Sequence, residues 1–218
     1  DEDATKAAKA RQKILAKPTG ALGRLEDISV QMAGITGKVK NSTNKKAIII
    51  MSADNGVTEE GVASAPQSVT LSQTINFTRR LTGVGSMAKH FGIDLLVIDV
   101  GVKLPIPESL YIDSMTKNGR FTHKIYNHRL ADGTRNLARE DAMTKEQALS
   151  ALACGIEAVK SASICGYDIL GIGEMGIGNT TTSSCVLASL TGAQRRGTDE
   201  KNPHRRECRS KMQRLRRD

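Results

Sequence analysis

The stretch from Tyr167 to Thr182, Y-D-I-L-G-I-G-E-M-G-I-G-N-T-T-T, constrains the fold more than any other. An apolar run (Ile169, Leu170, Ile172) leads into Gly171, Gly173, Gly176 and Gly178, with one carboxylate, Glu174, among the glycines. Asn179 and three threonines follow, then the apolar segment Val186 to Leu190. This order predicts a strand, a glycine loop and the N-terminus of a helix. Such a junction offers unpaired N–H groups and the positive end of a helix dipole to an anion. Glycines let the backbone come close to that anion and adopt positive φ. Asn179 or a threonine is expected to cap the helix. Gly171, Gly173 and Gly176 satisfy G-x-G-x-x-G, but a dinucleotide site also needs an acidic residue about 20 positions on for the ribose. That position falls near Arg195 and Arg196. A nucleotide carrying one phosphate fits better than a dinucleotide. A tight strand–helix turn without ligand is the alternative.

Two further apolar runs, Ala47 to Met51 and Asp94 to Val100, suit strands buried on both faces, as in a parallel sheet. Helices are predicted over Ser68 to Arg80 and Ser86 to Phe91, with Gly83 and Gly85 as a break between them. Thr144-Lys145-Glu146-Gln147 is a capping box opening a helix with apolar Ala148, Leu152, Ile156 and Val159, ended by Gly166. Three αβ repeats make an α/β fold, a parallel doubly wound sheet flanked by helices over residues 41–192. Residues 1–40 read as a helical segment. Ala4 to Ala16 is stopped by Pro18 and Gly20, and a second stripe, Leu25, Ile28, Met32 and Ile35, is expected to pack into a core.

Ligands of open α/β sheets bind at the carboxyl ends of the strands. Asp54 and Asp99 fall at two such ends. Asp54 either holds a hydroxyl or forms the turn before Asn55-Gly56. Pro105 to Arg139 is the least regular segment, and long irregular segments are often functional. His123 and His128 lie there without a nearby acidic partner, so a metal site is not expected.

Residues 193–218 carry ten of the 32 Lys+Arg but four of the 23 Asp+Glu, so +6 of the net +9 charge belongs to them. They read as a solvated, disordered end, with phosphate contacts to nucleic acid as the alternative. Aromatics at 3% with no Trp argue against stacking platforms for single strands. There is no apolar run long enough to span a membrane and no signal-peptide core. Cys154, Cys165, Cys185 and Cys208 form no C-x-x-C pair, which predicts reduced thiols in a cytoplasmic protein.

Four stretches together resemble one family: K-P-T-G-A-L-G-R-L-E (Lys17 to Glu26), S-A-D-N-G-V-T-E-E-G-V (Ser52 to Val62), D-G-T-R-N-L-A (Asp132 to Ala138) and G-I-G-E-M-G-I-G-N-T-T (Gly171 to Thr181). The family is nicotinate-nucleotide–dimethylbenzimidazole phosphoribosyltransferase, and the likeness covers about Lys9 to Gly192. It implies transfer of the 5-phosphoribosyl group of nicotinate mononucleotide to a benzimidazole, giving nicotinate and α-ribazole 5′-phosphate for the lower ligand of cobalamin. It implies a Rossmann-like domain, a small helical domain, a homodimer, and no metal or cofactor. By resemblance, Gly176, Ile177, Gly178, Asn179, Thr180 and Thr181 hold the phosphate and ribose. Glu174 lies by the anomeric carbon, and Ser64, Pro66 and Gln67 wall the base pocket. Asp54, Asp99 and Arg135 are further candidates. The family usually has Asp-His-Gly where this chain has Asp54-Asn55-Gly56. Its general-base glutamate, a phosphate-binding lysine and part of the base pocket lie beyond the matching region. The change of composition past Gly192 predicts a truncated or frame-shifted member, and the missing general base predicts turnover lowered by about 10²–10⁴-fold. A non-catalytic nucleotide-binding module, or a nucleic-acid binder acting through the basic end, is the alternative.

Overall fold

The computed structural model describes residues 1–192. The expectations for the basic end and for Cys208 lie outside the described residues. Contacts divide the chain into two compact units, Asp1–Asn44 and the part from Lys45 onward.

The first unit is a pair of helices, α1 (Glu2–Ile14) and α2 (Arg24–Thr36). The Asp1 side chain caps α1 by accepting from the Ala4 N–H at 2.8 Å, and Gly37 ends α2 in the left-handed conformation. The helices meet through small residues. Ala4, Ala8 and Ala33 are buried, and a Cβ on Gly34 would lie 2.6 Å from Thr5 Oγ1. The large side chains expected in a core are elsewhere: Leu25, Ile28 and Ile35 are exposed. Close-packed helix contact is made by the alanine–glycine seam, and the leucine–isoleucine stripe is turned off it. Lys17 and Glu26 close the connecting loop with an ion pair at 2.6 Å, and Glu26 also accepts from the Leu22 N–H.

The second unit is the α/β body. Its strands are β1 (Lys46–Ala53), β2 (Asp94–Gly101), β3 (Tyr111–Ile112), β4 (Thr116–Lys117), β5 (Arg120–Phe121), β6 (Ile125–Asn127) and β7 (Ile169–Met175). Five form one sheet in the order β3-β6-β2-β1-β7, and every pairing in it is parallel. Helices α3 (Ser68–Thr78), α4 (Gly83–His90), α5 (Lys145–Ile164) and α6 (Asn179–Thr191) complete the unit. On one face α5 buries Cys154, Ala158 and Ala162 against Ala47, Ile49, Leu96 and Ile98. On the other, Phe77 of α3 and Ala88 of α4 pack with Ile50, Leu95 and Val97. None of the described helices is long and apolar enough to cross a membrane.

Several local expectations need correction. Gly83 and Gly85 do not break a helix. They form the first turn of α4, where Thr82 Oγ1 accepts from the Gly85 N–H at 3.0 Å and Arg80 leaves little room for a Cβ at Gly85. The Thr144–Gln147 capping box is present as the sequence predicts. The face it buries is different: Leu152, Ile156 and Val159 point outward, because the sheet is contacted by the small residues of α5. β7 is a sheet edge, and its Ile172 is exposed. The segment expected to be irregular supplies β3 and β6 to the main sheet and the β4–β5 hairpin, whose Asn118 and Gly119 both have positive φ. Asn-Gly is the sequence signal for such a two-residue turn.

At the amino ends of the strands, Asp94 accepts from Arg120 Nε at 2.9 Å and from the Tyr167 hydroxyl at 2.6 Å. Tyr167 in turn accepts from the Phe121 N–H and stacks on the Phe121 ring. Burial raises the Asp94 carboxyl, but the hydrogen bonds of Arg120 and Tyr167 and the nearby positive charge outweigh it and hold it below the usual range. A depressed folded pKa contributes stability above the ordinary value near 4, and this is lost as pH falls through the folded value. Asp94→Asn should therefore unfold at lower denaturant than the parent at pH 7, with the difference closing toward pH 3. Burial also pushes the Cys154 thiol up to about 11, aided by Glu157. Cys154 should resist iodoacetamide at pH 8 in the native protein and react on unfolding, as read by peptide mass spectrometry.

Candidate substrate site at the carboxyl ends of the strands

Three of the four motifs converge at one end of the sheet. β1 runs into Asp54-Asn55-Gly56, and β2 into Asp99 and Gly101. β7 runs through Glu174 into the loop 176–178 and α6. The Asp132–Ala138 segment folds across the first of these. The Gly56 N–H donates to Thr134 Oγ1 at 3.1 Å, and the Thr134 N–H donates to the Asp54 carbonyl at 2.9 Å. A Cβ on Gly56 would lie 2.5 Å from the Thr134 carbonyl oxygen, so only glycine fits beneath that segment. Asn136 and Arg139 then anchor on Glu60, at 2.7 and 2.8 Å.

The glycine loop is held against β1 on its inner side. A Cβ on Gly176 would lie 2.1 Å from the Ala53 carbonyl oxygen and 2.8 Å from Asn55 Nδ2. One on Gly178 would lie 2.9 Å from Thr58 Cγ2, and Gly178 has φ +89. Asn55 is the clasp. Its Nδ2 donates to the Ile177 carbonyl at 3.2 Å, and its Oδ1 accepts from Thr182 Oγ1 at 2.9 Å. Its backbone carbonyl accepts from Gln67 Nε2 at 3.1 Å. Thr70, fully buried on α3, accepts from the Ile177 N–H at 3.1 Å. The roles of Asn55, Thr70, Thr134 and Thr182 have no local sequence signal. Each depends on pairing across distant segments.

Neither Asn179 nor a threonine caps α6. Gly178 is the N-cap, without a side-chain cap bond. Asn179 is the first helical residue. Its Nδ2 donates to Glu174 Oε1 at 2.6 Å, and its Oδ1 accepts from the Thr180 N–H at 2.7 Å. Glu174 is exposed, so this bond fixes a carboxylate at the mouth of the loop. The Asn179, Thr181 and Thr182 N–H groups bond back to Gly176 and Gly178. Among the described residues nothing accepts from the Gly178 N–H. Ser64 and Pro66 are exposed beside Gln67 on the loop before α3.

The other candidates sit within the framework. Asp54 is 1% exposed, and its Oδ2 accepts from the Lys103 N–H at 2.8 Å, while its Oδ1 is buried with no partner among the described residues. Asp99 is fully buried, and Oδ1 accepts from the Gly101 and Val102 N–H groups while Oδ2 accepts from the Tyr111 hydroxyl at 2.6 Å. Burial, then the Asp99 contact, hold the Tyr111 phenol well above its ordinary value, so it stays a donor. Arg135 is exposed, and its Nε donates to the Asp141 carbonyl at 2.8 Å.

The tight seat of Gly176 gives a sharp contrast. Gly176→Ala should destabilise by about 1–3 kcal/mol, the usual cost of overpacking. Gly173→Ala, with nothing within 4 Å of its added Cβ, should change stability by less than about 0.5 kcal/mol. Urea denaturation of both variants checks this, and equal effects would contradict it.

A phosphoribosyltransferase family model matches residues 1–201, extending past Gly192, where the motif likeness ends. Nicotinate-nucleotide–dimethylbenzimidazole phosphoribosyltransferase of Clostridium perfringens is 50% identical over 194 residues, 89% of this chain and 50% of that relative. The enzyme of the same name from Clostridium tetani is 44% identical over 191 residues, 88% of this chain and 49% of that one. The chain thus spans about half the length of the curated relatives it matches. A crystal structure of a protein of that name from Thermus thermophilus superposes with a TM-score of 0.83 at 32% identity, covering 98% of this chain and 61% of that one. By sequence and by fold, the chain belongs to the nicotinate-nucleotide–dimethylbenzimidazole phosphoribosyltransferase family.

Proposed function

We propose that this chain takes part in phosphoribosyl transfer from nicotinate mononucleotide to dimethylbenzimidazole, and that it supplies the nucleotide side of the site. The observation that carries this reading is the convergence of the Ser52–Val62, Asp132–Ala138 and Gly171–Thr181 motifs at one end of the sheet. The 5′-phosphate takes the Gly178 N–H, the hydroxyls of Thr180 and Thr181 and the positive end of α6. Ile177 and Asn179 shape that loop. Ser64, Pro66 and Gln67 face the base, and a homodimer is the functional assembly.

The chemistry requires a C–N bond to break at the anomeric carbon and another to form there. Nicotinate departs with the electron pair of its glycosidic bond, and a benzimidazole nitrogen donates a pair to the same carbon. The other ring nitrogen then loses its proton. Positive charge develops on the ribose between these events. A carboxylate held in place beforehand stabilises that charge without reorganising at the moment of reaction. Glu174, fixed by Asn179, meets that requirement. Asp54 and Asp99 act one step back, by holding the strand ends that carry the loop. The basic end acts on no nucleic acid in this reading.

Incubation of the 218-residue chain with nicotinate mononucleotide and dimethylbenzimidazole, with chromatography of the products, tests the reading. Glu174-dependent release of α-ribazole 5′-phosphate is expected, and Glu174→Gln should lower turnover by about 10²–10³-fold. Nucleotide binding by calorimetry without any product would make the chain a binding module. Absence of both would overturn the assignment.

A further inference from the structure

Four hydrogen bonds close a ring between the glycine loop and the loop before α3. Asn55 Nδ2 donates to the Ile177 carbonyl at 3.2 Å, and the Ile177 N–H donates to Thr70 Oγ1 at 3.1 Å. The Thr70 N–H donates to the Gln67 carbonyl at 2.9 Å, and Gln67 Nε2 returns to the Asn55 carbonyl at 3.1 Å. Both main-chain polar groups of Ile177 are thus committed to partners outside its own loop. The ring joins the end of β1, the start of α3 and the loop after β7.

Each link is braced. Asn55 Oδ1 accepts from the Thr182 hydroxyl, and the Asn55 carbonyl also takes the Thr58 N–H at 3.2 Å and the Thr58 hydroxyl at 2.9 Å. Thr70 is fully buried, so water does not compete for its oxygen. The far end of the loop before α3 is pinned at Glu60 by Asn136 and Arg139. Members of a closed network hold one another's geometry, so ordering one arm orders the other.

We propose that Asn55 and Thr70 are positioning residues that lock the Gly176–Gly178 loop and the Gly61–Gln67 loop into one unit, so that a sugar phosphate seated on the first orders the second. The inference rests on the reading of the glycine loop as the phosphate seat. A phosphate there fixes the peptide of Ile177, the ring carries that order to Gln67, and the pocket for the aromatic base is shaped before the base arrives. By linkage the effect is reciprocal: each ligand raises the affinity for the other by the same factor.

Ribose 5-phosphate is the probe, because it carries the sugar and the phosphate but no base that could touch the second loop. Hydrogen exchange read by mass spectrometry should slow in peptides covering residues 176–182. It should slow as well in those covering residues 58–70, where the Thr58, Gly61 and Val69 N–H groups are bonded. The affinity for dimethylbenzimidazole, measured by calorimetry, should rise by about fivefold or more. Thr70→Val keeps the shape and removes the acceptor, and Asn55→Ala removes the other arm. Both should abolish the slowing at 58–70, whereas Thr70→Ser should retain it. A role in packing alone predicts the reverse order, because serine leaves a gap that valine fills. Without ligand, Thr70→Val should speed exchange in both loops together by about tenfold, with β2 and α5 unchanged. Slowing confined to 176–182 in the parent, or a Thr70→Val that loosens one loop only, overturns the proposal. If ribose 5-phosphate slows nothing in the parent while Thr70→Val still loosens both loops, the phosphate seat is refuted and the lock between the loops is upheld.

Discussion

The carboxyl end of the sheet depends on one steric fact: the Ala53 carbonyl oxygen lies where a side chain on residue 176 would begin. That contact lets the β7 loop lie flat on the end of β1. Asn55 can then reach both Ile177 and Thr182, and Thr70 can take the Ile177 N–H from below. The glycines of this loop are thus required by protein neighbours on the inner side. On the outer side, nothing among the described residues accepts from the Gly178 N–H.

Asn55 gives the arrangement its internal logic. Its side chain holds the Gly176–Gly178 loop, and its main-chain carbonyl holds Gln67 on the loop before α3. Where an imidazole is usual, this chain has an amide that acts as donor and acceptor at once. An amide does not titrate, so the clasp keeps the same bonds across the physiological pH range. The acidic groups divide by environment. Asp54 and Asp99 are sequestered, Asp99 with both oxygens on backbone and phenol donors and Asp54 with one on a backbone donor, whereas Glu174 is exposed and accepts from the neutral Asn179 amide.

Much of this was legible in the sequence. The runs at Ala47–Met51 and Asp94–Val100, the capping box at Thr144 and the strand–loop–helix order at Tyr167–Thr182 all encode local structure, and all are found. What the sequence concealed was which face of each helix is used. Leu152, Ile156 and Val159, like Leu25 and Ile35, look like core by periodicity, yet alanines and glycines make the contacts. Periodicity identifies an apolar face, but close approach favours small residues. β3 and β6 are two and three residues long, too short for alternation to register. The Asn179 side chain could not be assigned from the capping rule, because Glu174 competes for it across the turn.

The order of strands in the sheet also governs when the site can exist. β1 pairs with β2 soon after it in the chain, but its other neighbour, β7, comes much later: the bond between the Lys45 N–H and Asp168 spans 123 residues. At roughly 5–20 residues per second of synthesis, β1 waits about 6–25 s with one edge open before β7 emerges. The β1–β2 half of the sheet and its α3–α4 cover therefore assemble first. The Asn55 clasp reaches across to Ile177 and Thr182, so it closes only after β7 has been made and docked, late in the life of each new chain.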